Sequence, residues 1–342
     1  MSLIRYVTRI HFADRALEDA LPEELAARGI AAPLVLTDSE TGEALGRLLD
    51  CLPATCRPEV RATAQVVADD LPAHCDAAIG LGGRFALDLA RLVPCRGGAA
   101  SAPRMAVPTL PGCLGFGPVG AGARAATARM APAPVPDVVF CDPALLALAP
   151  PDRLAAAGMD VLVHCLEALL STAWNPPADA MAFDGLRRAG RWIERLCARP
   201  DDGEARCEVL AAALNGALAG EKGLGAIHAL SHVIEGMTGA EAGHGALHAA
   251  LAPPVLAFNA PAVPDRIASA ADALRLAAPE AVAGHIAALG QRLGLPATLR
   301  HLGLTPAGIA RLAAAAAEDR ANQTNPRMAT TADYRAMIEA AL

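Results

Sequence analysis

Hydrophobic and polar positions divide the chain into two parts with different patterns. In the first 150 residues, short apolar runs alternate with amphipathic segments, and the runs PLVLT, AAIGL and VVFC each end at Asp or Gly. Strand, turn and helix in alternation predict a parallel β-sheet covered by helices. We therefore expect strands at 33–37, 77–81 and 138–141, a helix from about Phe85, and mostly loop between Arg96 and Pro136.

After about Pro151 the helical period dominates. Four consecutive segments repeat apolar residues at helical spacing and contain few β-branched residues, namely 152–171, 178–199, 203–220 and 226–237. Helices rich in Ala, Leu and Arg continue to the end of the chain. We expect an α/β domain over residues 1–150, followed by an all-α domain over residues 151–342.

Composition and charge exclude several classes of protein. The 342 residues carry a formal net charge of −7 and no basic stripe, which argues against nucleic-acid binding. No run of 18 apolar residues occurs, so we expect no membrane span. The nine cysteines show no paired spacing, and the charged N-terminal segment lacks a signal-peptide pattern. These features favour a cytoplasmic enzyme with reduced cysteines.

Three pairs of potential metal ligands give the strongest chemical signal. The pairs, each with i, i+4 spacing, are Asp160 with His164, His228 with His232, and His244 with His248. Residues four apart lie on one face of a helix, and a metal needs several N or O donors that converge. Aspartate with three histidines suits Fe(II) or Zn(II) better than Mg(II) or Ca(II). A single such histidine is more often a hydrogen-bonded core residue, so the clustering favours a metal site.

The order of these motifs resembles the iron-dependent (group III) alcohol dehydrogenase family, which includes the maleylacetate reductases. From about Pro136 to Pro264 the chain reads DVVFCDP, GMDVLVHCLEALLS, NPPADAMAFDG, GAIHALSHVIEG, GHGALH and PPVLAFN, in the order of that family. The resemblance implies a Rossmann-like α/β domain and a helical domain, as in dehydroquinate synthase, with the site in a cleft between them. HCLEAL and His248 are similar to the maleylacetate reductase branch, whereas Asp160 stands where many of its members carry Asn.

Carried over by position, the resemblance implies four metal ligands, Asp160, His164, His228 and His244. It implies Fe(II), with Zn(II) as the alternative, and makes His232 the catalytic proton relay. The interval from His228 to His244 is two residues longer than in the family. Glu167, one turn after His164, either holds that histidine by a hydrogen bond or is a solvated helix carboxylate.

The resemblance also implies a set of cofactor-binding residues, Asp38, Gly82, Gly83, Asp88 and Thr109. Asp38 would accept a bond from a ribose 2′-hydroxyl and repel a 2′-phosphate, which favours NAD(H) over NADP(H). Two loops depart from the family: GGRFALDLAR has Arg84 in place of a third glycine, and PTLPGCLGF lacks the family's Ser and Glu. Arg84 either crowds the pyrophosphate or pairs with it. Arg124 and Arg129 are candidate substitutes for a lysine that the family carries downstream.

The combined interpretation is a metal-dependent, NAD(P)H-linked oxidoreductase. We expect it to interconvert a small carbonyl compound and its alcohol by hydride transfer, and to form a homo-oligomer. Two alternatives stay open. One is a maleylacetate-reductase-like enzyme acting on a dicarboxylate, and the other is a diverged member that keeps the metal without hydride transfer, as a lyase or a binding protein. Lys222, the only lysine, is expected at the surface.

Overall fold

The structure is a computed structural model that describes residues 8–66, 74–93, 102–112, 114–117, 119, 123, 134–238 and 244–342. Two compact units follow one another along the chain, and they divide between Ala149 and Pro150. None of the helices in the described ranges combines the length and apolar character needed to cross a membrane. Arg124 and Arg129, the candidate lysine substitutes, lie outside the described residues.

The first unit is built on a six-stranded sheet in which all neighbouring strands are parallel, in the order β1-β6-β5-β4-β2-β3. Its strands are β1 (Arg9–Phe12), β2 (Pro33–Thr37), β3 (Glu59–Ala62), β4 (Ala77–Gly82), β5 (Arg104–Pro108) and β6 (Val138–Cys141). Every residue of the four central strands is buried. A parallel strand covered on both faces reads as an uninterrupted apolar run, which is why the sequence revealed β2, β4 and β6.

Three strands were missed, for identifiable reasons. The edge strands β1 and β3, RIHF and EVRA, are only partly buried and carry charged residues, so they show no apolar run. The prediction of mostly loop between Arg96 and Pro136 is wrong at β5, which begins with a charged residue in Pro- and Ala-rich surroundings. Arg104 is nevertheless buried, because its guanidinium donates to the carbonyl oxygens of Ala102 (2.8 Å) and Arg91 (3.0 Å).

The loops after β2 and β4 diverge. The chain leaves β2 for β3 at one edge of the sheet, and it leaves β4 for β5 on the other side. In parallel sheets this reversal opens a crevice at the carboxyl ends of the strands, where nucleotides bind. The helices described in this unit are α1 (Ala16–Arg28), α2 (Gly42–Asp50) and α3 (Arg84–Leu92), and α3 begins directly after β4.

The second unit is helical throughout its described residues. Its helices are α4 (Pro151–Leu170), α5 (Pro176–Ala198), α6 (Gly203–Gly220), α7 (Ala226–Thr238), α8 (His244–Asn259), α9 (Pro264–Ala273), α10 (Ala281–Arg292), α11 (Ile309–Glu318) and α12 (Thr331–Ala341). The four helices predicted from periodicity are confirmed as α4 to α7. A parallel α/β sheet followed by an all-α part confirms the predicted fold class.

Lys222 contradicts the expectation of a surface lysine. Its side chain is 1% exposed and forms an ion pair with Asp179 of α5. A buried ammonium is tolerated when a carboxylate compensates for lost hydration, and burial still lowers the pKa of Lys222. This pair connects the segment between α6 and α7 to α5.

Candidate metal centre

Three helices of the second unit carry the candidate ligands. Helix α4 contributes Asp160 and His164, α7 contributes His228, and α8 contributes His244 and His248. All five side chains are buried. The i, i+4 spacing on α4 and α8 therefore places the paired residues on inward-facing surfaces, as the sequence predicted.

A glycine allows α8 to reach α4. A Cβ placed on Gly245 would lie 1.7 Å from the carbonyl oxygen of Ala156, which is far inside contact distance. The backbones of the two helices therefore touch at a point where no other residue fits. This close approach brings the side chains at the start of α8 against Asp160.

The donor atoms converge on a small volume. Asp160, His228, His244 and His248 each offer one ligand atom, and these atoms all lie within 4.8 Å of one another. His164 lies beside this set, with Nδ1 3.0 Å from Asp160 Oδ1 and both ring nitrogens 3.2 Å from His228 Nε2. The structure thus brings the four predicted ligands into one buried cluster and adds His248.

Carboxylates occupy the outer nitrogens of three histidines. Glu167 Oε2 is 2.7 Å from His228 Nδ1, and Glu235 Oε1 is 2.9 Å from His244 Nδ1. At a longer distance, Asp319 Oδ2 is 3.5 Å from Nδ1 of the half-buried His232. A carboxylate on Nδ1 fixes the ring orientation and leaves Nε2 to bind a metal or carry a proton.

Glu167 holds a histidine, but not the expected one. Both alternatives considered for it from the sequence, a bond to His164 or a solvated carboxylate, are wrong, because it is buried and bonded to His228 across two helices. Glu235 follows His228 by seven residues, two turns of the same helix, so the spacing could have indicated it. Asp319 has no comparable local signal.

The same carboxylate caps α7. Glu167 accepts hydrogen bonds from the backbone N–H groups of Gly225 (3.0 Å), Ile227 (2.8 Å) and His228 (3.2 Å). The intervening N–H of Ala226 donates to Asn325 Oδ1 at 3.0 Å. Burial raises the pKa of Glu167 to about 7, against the opposing effect of these backbone bonds.

The protonation states of the cluster suit a metal ion. Burial, reinforced by the neighbouring imidazoles, lowers the pKa of His228 and of His248 well below the ordinary value, so both rings stay neutral. Burial alone would raise the pKa of Asp160, but the interaction with His164, whose Nδ1 lies 3.0 Å from Oδ1, outweighs it and holds that pKa below its usual range. Neutral imidazoles and an ionised carboxylate are the forms that bind divalent cations. Asp160 Oδ1 and His248 Nδ1 are buried and make no hydrogen bond, so the residues fit Fe(II) or Zn(II).

Four of the predicted cofactor residues lie at one edge of the sheet in the first unit. Asp38 follows β2, Gly82 ends β4, Gly83 lies between β4 and α3, and Thr109 follows β5. Asp38 accepts a bond from the Gly83 N–H at 2.8 Å, and Thr109 N–H donates to the Gly82 carbonyl at 3.1 Å. These contacts hold the loops on either side of the crevice between β2 and β4.

The packing of the first unit requires a glycine at position 82. Its φ is +143°, and a Cβ there would lie 2.4 Å from Asp38 Oδ2. The fifth residue, Asp88, is buried on α3 and contacts Arg91 (3.1 Å) and Arg84 (3.6 Å). Arg84 thus pairs within its own helix, and a role of Asp88 in cofactor binding stays a prediction.

A parallel sheet with a nucleotide-type crevice, followed in the same chain by helices carrying a buried aspartate–histidine cluster, is typical of metal-dependent dehydrogenases. The sequence model of the C-terminal part of the Fe-containing alcohol dehydrogenase family matches residues 154–342. The 4-hydroxybutyrate dehydrogenase of Cupriavidus necator is 33% identical over 380 aligned positions, which cover 99% of each chain. The chain therefore belongs to the iron-containing alcohol dehydrogenase family, and it is an oxidoreductase.

Further relatives agree with this assignment. The NAD-dependent methanol dehydrogenase of Bacillus methanolicus is 29% identical, covering 79% of this chain and 78% of its own. A crystal structure of 1,3-propanediol oxidoreductase superposes with a TM-score of 0.82 over the whole of both chains, at 22% identity. At that identity the structural match supports the fold alone.

Proposed function

We propose that the protein is a metal-dependent, NAD(H)-linked dehydrogenase of a small primary alcohol, and that 4-hydroxybutyrate is the first substrate to test. The buried cluster around Asp160 carries the proposal, because its donor set and protonation states suit a metal that activates oxygen. The substrate suggestion comes from the relative named 4-hydroxybutyrate dehydrogenase, which aligns over 99% of both chains.

Asp160, His164, His228 and His244 would hold Fe(II) or Zn(II). When bound, the cation supplies a Lewis acid that polarises the substrate oxygen. The protein's contribution is to hold the donors in place: Glu167 orients the ring of His228 at 2.7 Å, and Glu235 orients His244 at 2.9 Å. Partners of this kind contribute to affinity because the rings need no reorganisation when the ion enters.

His232 moves the proton. Its side chain is 18% exposed, whereas the candidate ligands around it are less accessible, and Nδ1 faces Asp319. Nε2 is then the nitrogen that accepts the hydroxyl proton during alcohol oxidation and returns it during reduction. An imidazole nitrogen can both accept and donate a proton, so the same residue serves both directions.

The crevice between β2 and β4 would bind the dinucleotide, which would supply the hydride acceptor for alcohol oxidation. Asp38 stands at this crevice with Oδ2 bonded to the Gly83 N–H and Oδ1 to the Thr63 hydroxyl (3.1 Å). As the family resemblance implies, Asp38 would accept a bond from a ribose hydroxyl there. Its charge repels a 2′-phosphate, which favours NAD(H) over NADP(H).

The test is nicotinamide reduction by protein loaded with Fe(II) under anaerobic conditions, or with Zn(II). We expect NADH formation with 4-hydroxybutyrate that exceeds the rate with 1,3-propanediol, and a lower rate with NADP. The reverse assay uses NADH with maleylacetate, and preferential turnover there would favour the dicarboxylate alternative. No nicotinamide turnover with any of these substrates, despite tight metal binding, would overturn the proposal.

The proposal also includes the assembly and location of the enzyme. We expect a homo-oligomer, which sedimentation equilibrium of the purified chain would detect. We expect it in the cytoplasm, which fractionation of the source cells would test.

A further inference from the structure

His248 is a buried histidine at the centre of the cluster that the family-based ligand set does not use. Its side chain is 0% exposed, and its ring centroid lies 4.5 Å from that of His228 and 4.4 Å from that of His244. One of its nitrogens belongs to the group of four donor atoms that lie within 4.8 Å of one another. A core histidine surrounded by ligands requires a partner for each ring nitrogen.

Ser231 is the hydrogen-bond partner of Nε2 of His248. The Ser231 hydroxyl donates to the His228 carbonyl oxygen at 3.1 Å, and its oxygen lies 3.2 Å from His248 Nε2 and 3.4 Å from His244 Nε2. Nε2 of His248 therefore has a partner within the protein, whereas Nδ1 is buried and makes no hydrogen bond. Nδ1 is the ring nitrogen of His248 whose lone pair is left to bind a cation.

That lone pair faces another acceptor. His248 Nδ1 lies 3.3 Å from Asp160 Oδ1, and both atoms are buried and make no hydrogen bond. Two electron-rich atoms at this separation repel each other unless a cation lies between or beside them. A cation bound by both atoms would remove this repulsion.

We propose that His248 is a further ligand of the metal centre and that it binds through Nδ1. The inference rests on the proposed function, since it concerns the same ion. It distinguishes His248 from His228 and His244, whose Nδ1 atoms face the carboxylates of Glu167 and Glu235 and which would bind the ion through Nε2. Together with Asp160 and His164, the centre would then have five protein ligands.

The experiment uses Co(II) as a spectroscopic probe and requires no turnover. Visible absorption of bound Co(II) reports its coordination number, and competition with a chelator gives its affinity. We compare the full-length wild-type chain with His248→Ala, His248→Asn and His248→Gln. The Asn side-chain oxygen stands the same number of bonds from Cβ as Nδ1 of histidine, whereas the Gln oxygen corresponds to Nε2. His285→Ala, which removes a half-buried histidine of α10, is the control.

We expect His248→Ala to weaken Co(II) binding by at least ~100-fold and to intensify the visible absorption as one ligand is lost. His248→Asn should stay within about 10-fold of the wild type, His248→Gln should resemble the alanine variant, and His285→Ala should be unchanged. If His248→Ala fails to fold, the Asn and Gln variants test the proposal without it, because both keep a polar side chain in the buried position. The proposal then requires that His248→Asn binds Co(II) more tightly than His248→Gln.

Two results would overturn the inference. One is an unchanged affinity and spectrum for His248→Ala, and the other is a better retention of Co(II) by Gln than by Asn. Absence of Co(II), Fe(II) and Zn(II) binding in the wild-type chain would instead refute the proposed function, so the two failures are distinguishable.

Discussion

Replacement of Glu167 by Gln tests the link between helix capping and the metal centre. In the wild-type chain Oε1 accepts one bond, from Ile227 N–H, and Oε2 accepts three, from Gly225 N–H, His228 N–H and His228 Nδ1. A glutamine amide has a single acceptor oxygen. If that oxygen takes the place of Oε2, the Ile227 N–H faces an NH₂ group and loses its acceptor.

The magnitude follows from this one unsatisfied donor. A buried N–H without a partner costs about 1–3 kcal/mol, which lowers the midpoint of thermal unfolding by roughly 2–4 °C per kcal/mol in a unit of this size. The lost charge adds less than it would for an ordinary glutamate, because burial raises the pKa of Glu167 to about 7 and the carboxyl is only partly ionised near neutral pH. Weaker orientation of His228 should reduce metal affinity by about 10- to 100-fold, or ~1.4–2.7 kcal/mol.

Calorimetric unfolding of the metal-free protein and chelator competition measure these two effects separately. The matched control is Glu194→Gln, which removes an exposed glutamate paired with Arg292 at 2.7 Å. It should change stability by no more than ~0.5 kcal/mol and leave metal affinity unaltered. Wild-type metal affinity in Glu167→Gln, or an equal loss in the control, would refute the reasoning.

Three further predictions concern other parts of the molecule. Gly245→Ala should abolish metal binding and destabilise the protein by ~3 kcal/mol or more in denaturant titrations, since its Cβ would lie 1.7 Å from a carbonyl oxygen of α4. Gly284→Ala on α10, with nothing within 4 Å, should gain about 0.5–1 kcal/mol, and equal behaviour of the two variants would contradict the packing argument. His232→Gln should lower kcat by roughly 10²- to 10⁴-fold while metal affinity stays constant; an equal loss of both would assign it to metal binding instead. Although burial opposes the shift, three basic neighbours lower the pKa of Glu24 from 4.5 to about 2. Because the folded-state pKa is depressed, its contribution of about 1–3 kcal/mol is present above pH 4.5 and lost as the pH falls toward 2, so urea unfolding of Glu24→Gln should show a weaker acid dependence than the wild type.

Much of the fold could be predicted because its signals are local. The strands at 33–37, 77–82 and 138–141 are buried on both faces, so their residues are apolar whatever lies next to them in space. The helices from α4 to α7 show their period in the same way. The edge strands were not predicted, because RIHF and EVRA are partly exposed to solvent and carry charged residues, so they form no apolar run.

The candidate ligands could also be found along the chain, since i, i+4 pairs lie on one helix face before any packing occurs. The carboxylates that contact these histidines could not be found in this way. Glu167 lies one turn from His164 in the sequence, yet its carboxylate reaches His228, 61 residues away. Asp319 approaches His232 from the bend that follows α11. Spacing along one helix determines which side chains share a face, but not which helix that face contacts.

By itself, the sequence determined the fold class, the family and the residue types of the candidate metal centre, because these depend on local pattern and motif order. Only the tertiary structure shows that Lys222 is buried against Asp179 and that His248 Nδ1 faces Asp160. It also shows that Gly245 allows α8 to contact the backbone of α4. Each of these depends on the distance between backbones far apart in the chain. Such distances come from the packing of whole helices, where a single Cβ is enough to exclude an approach.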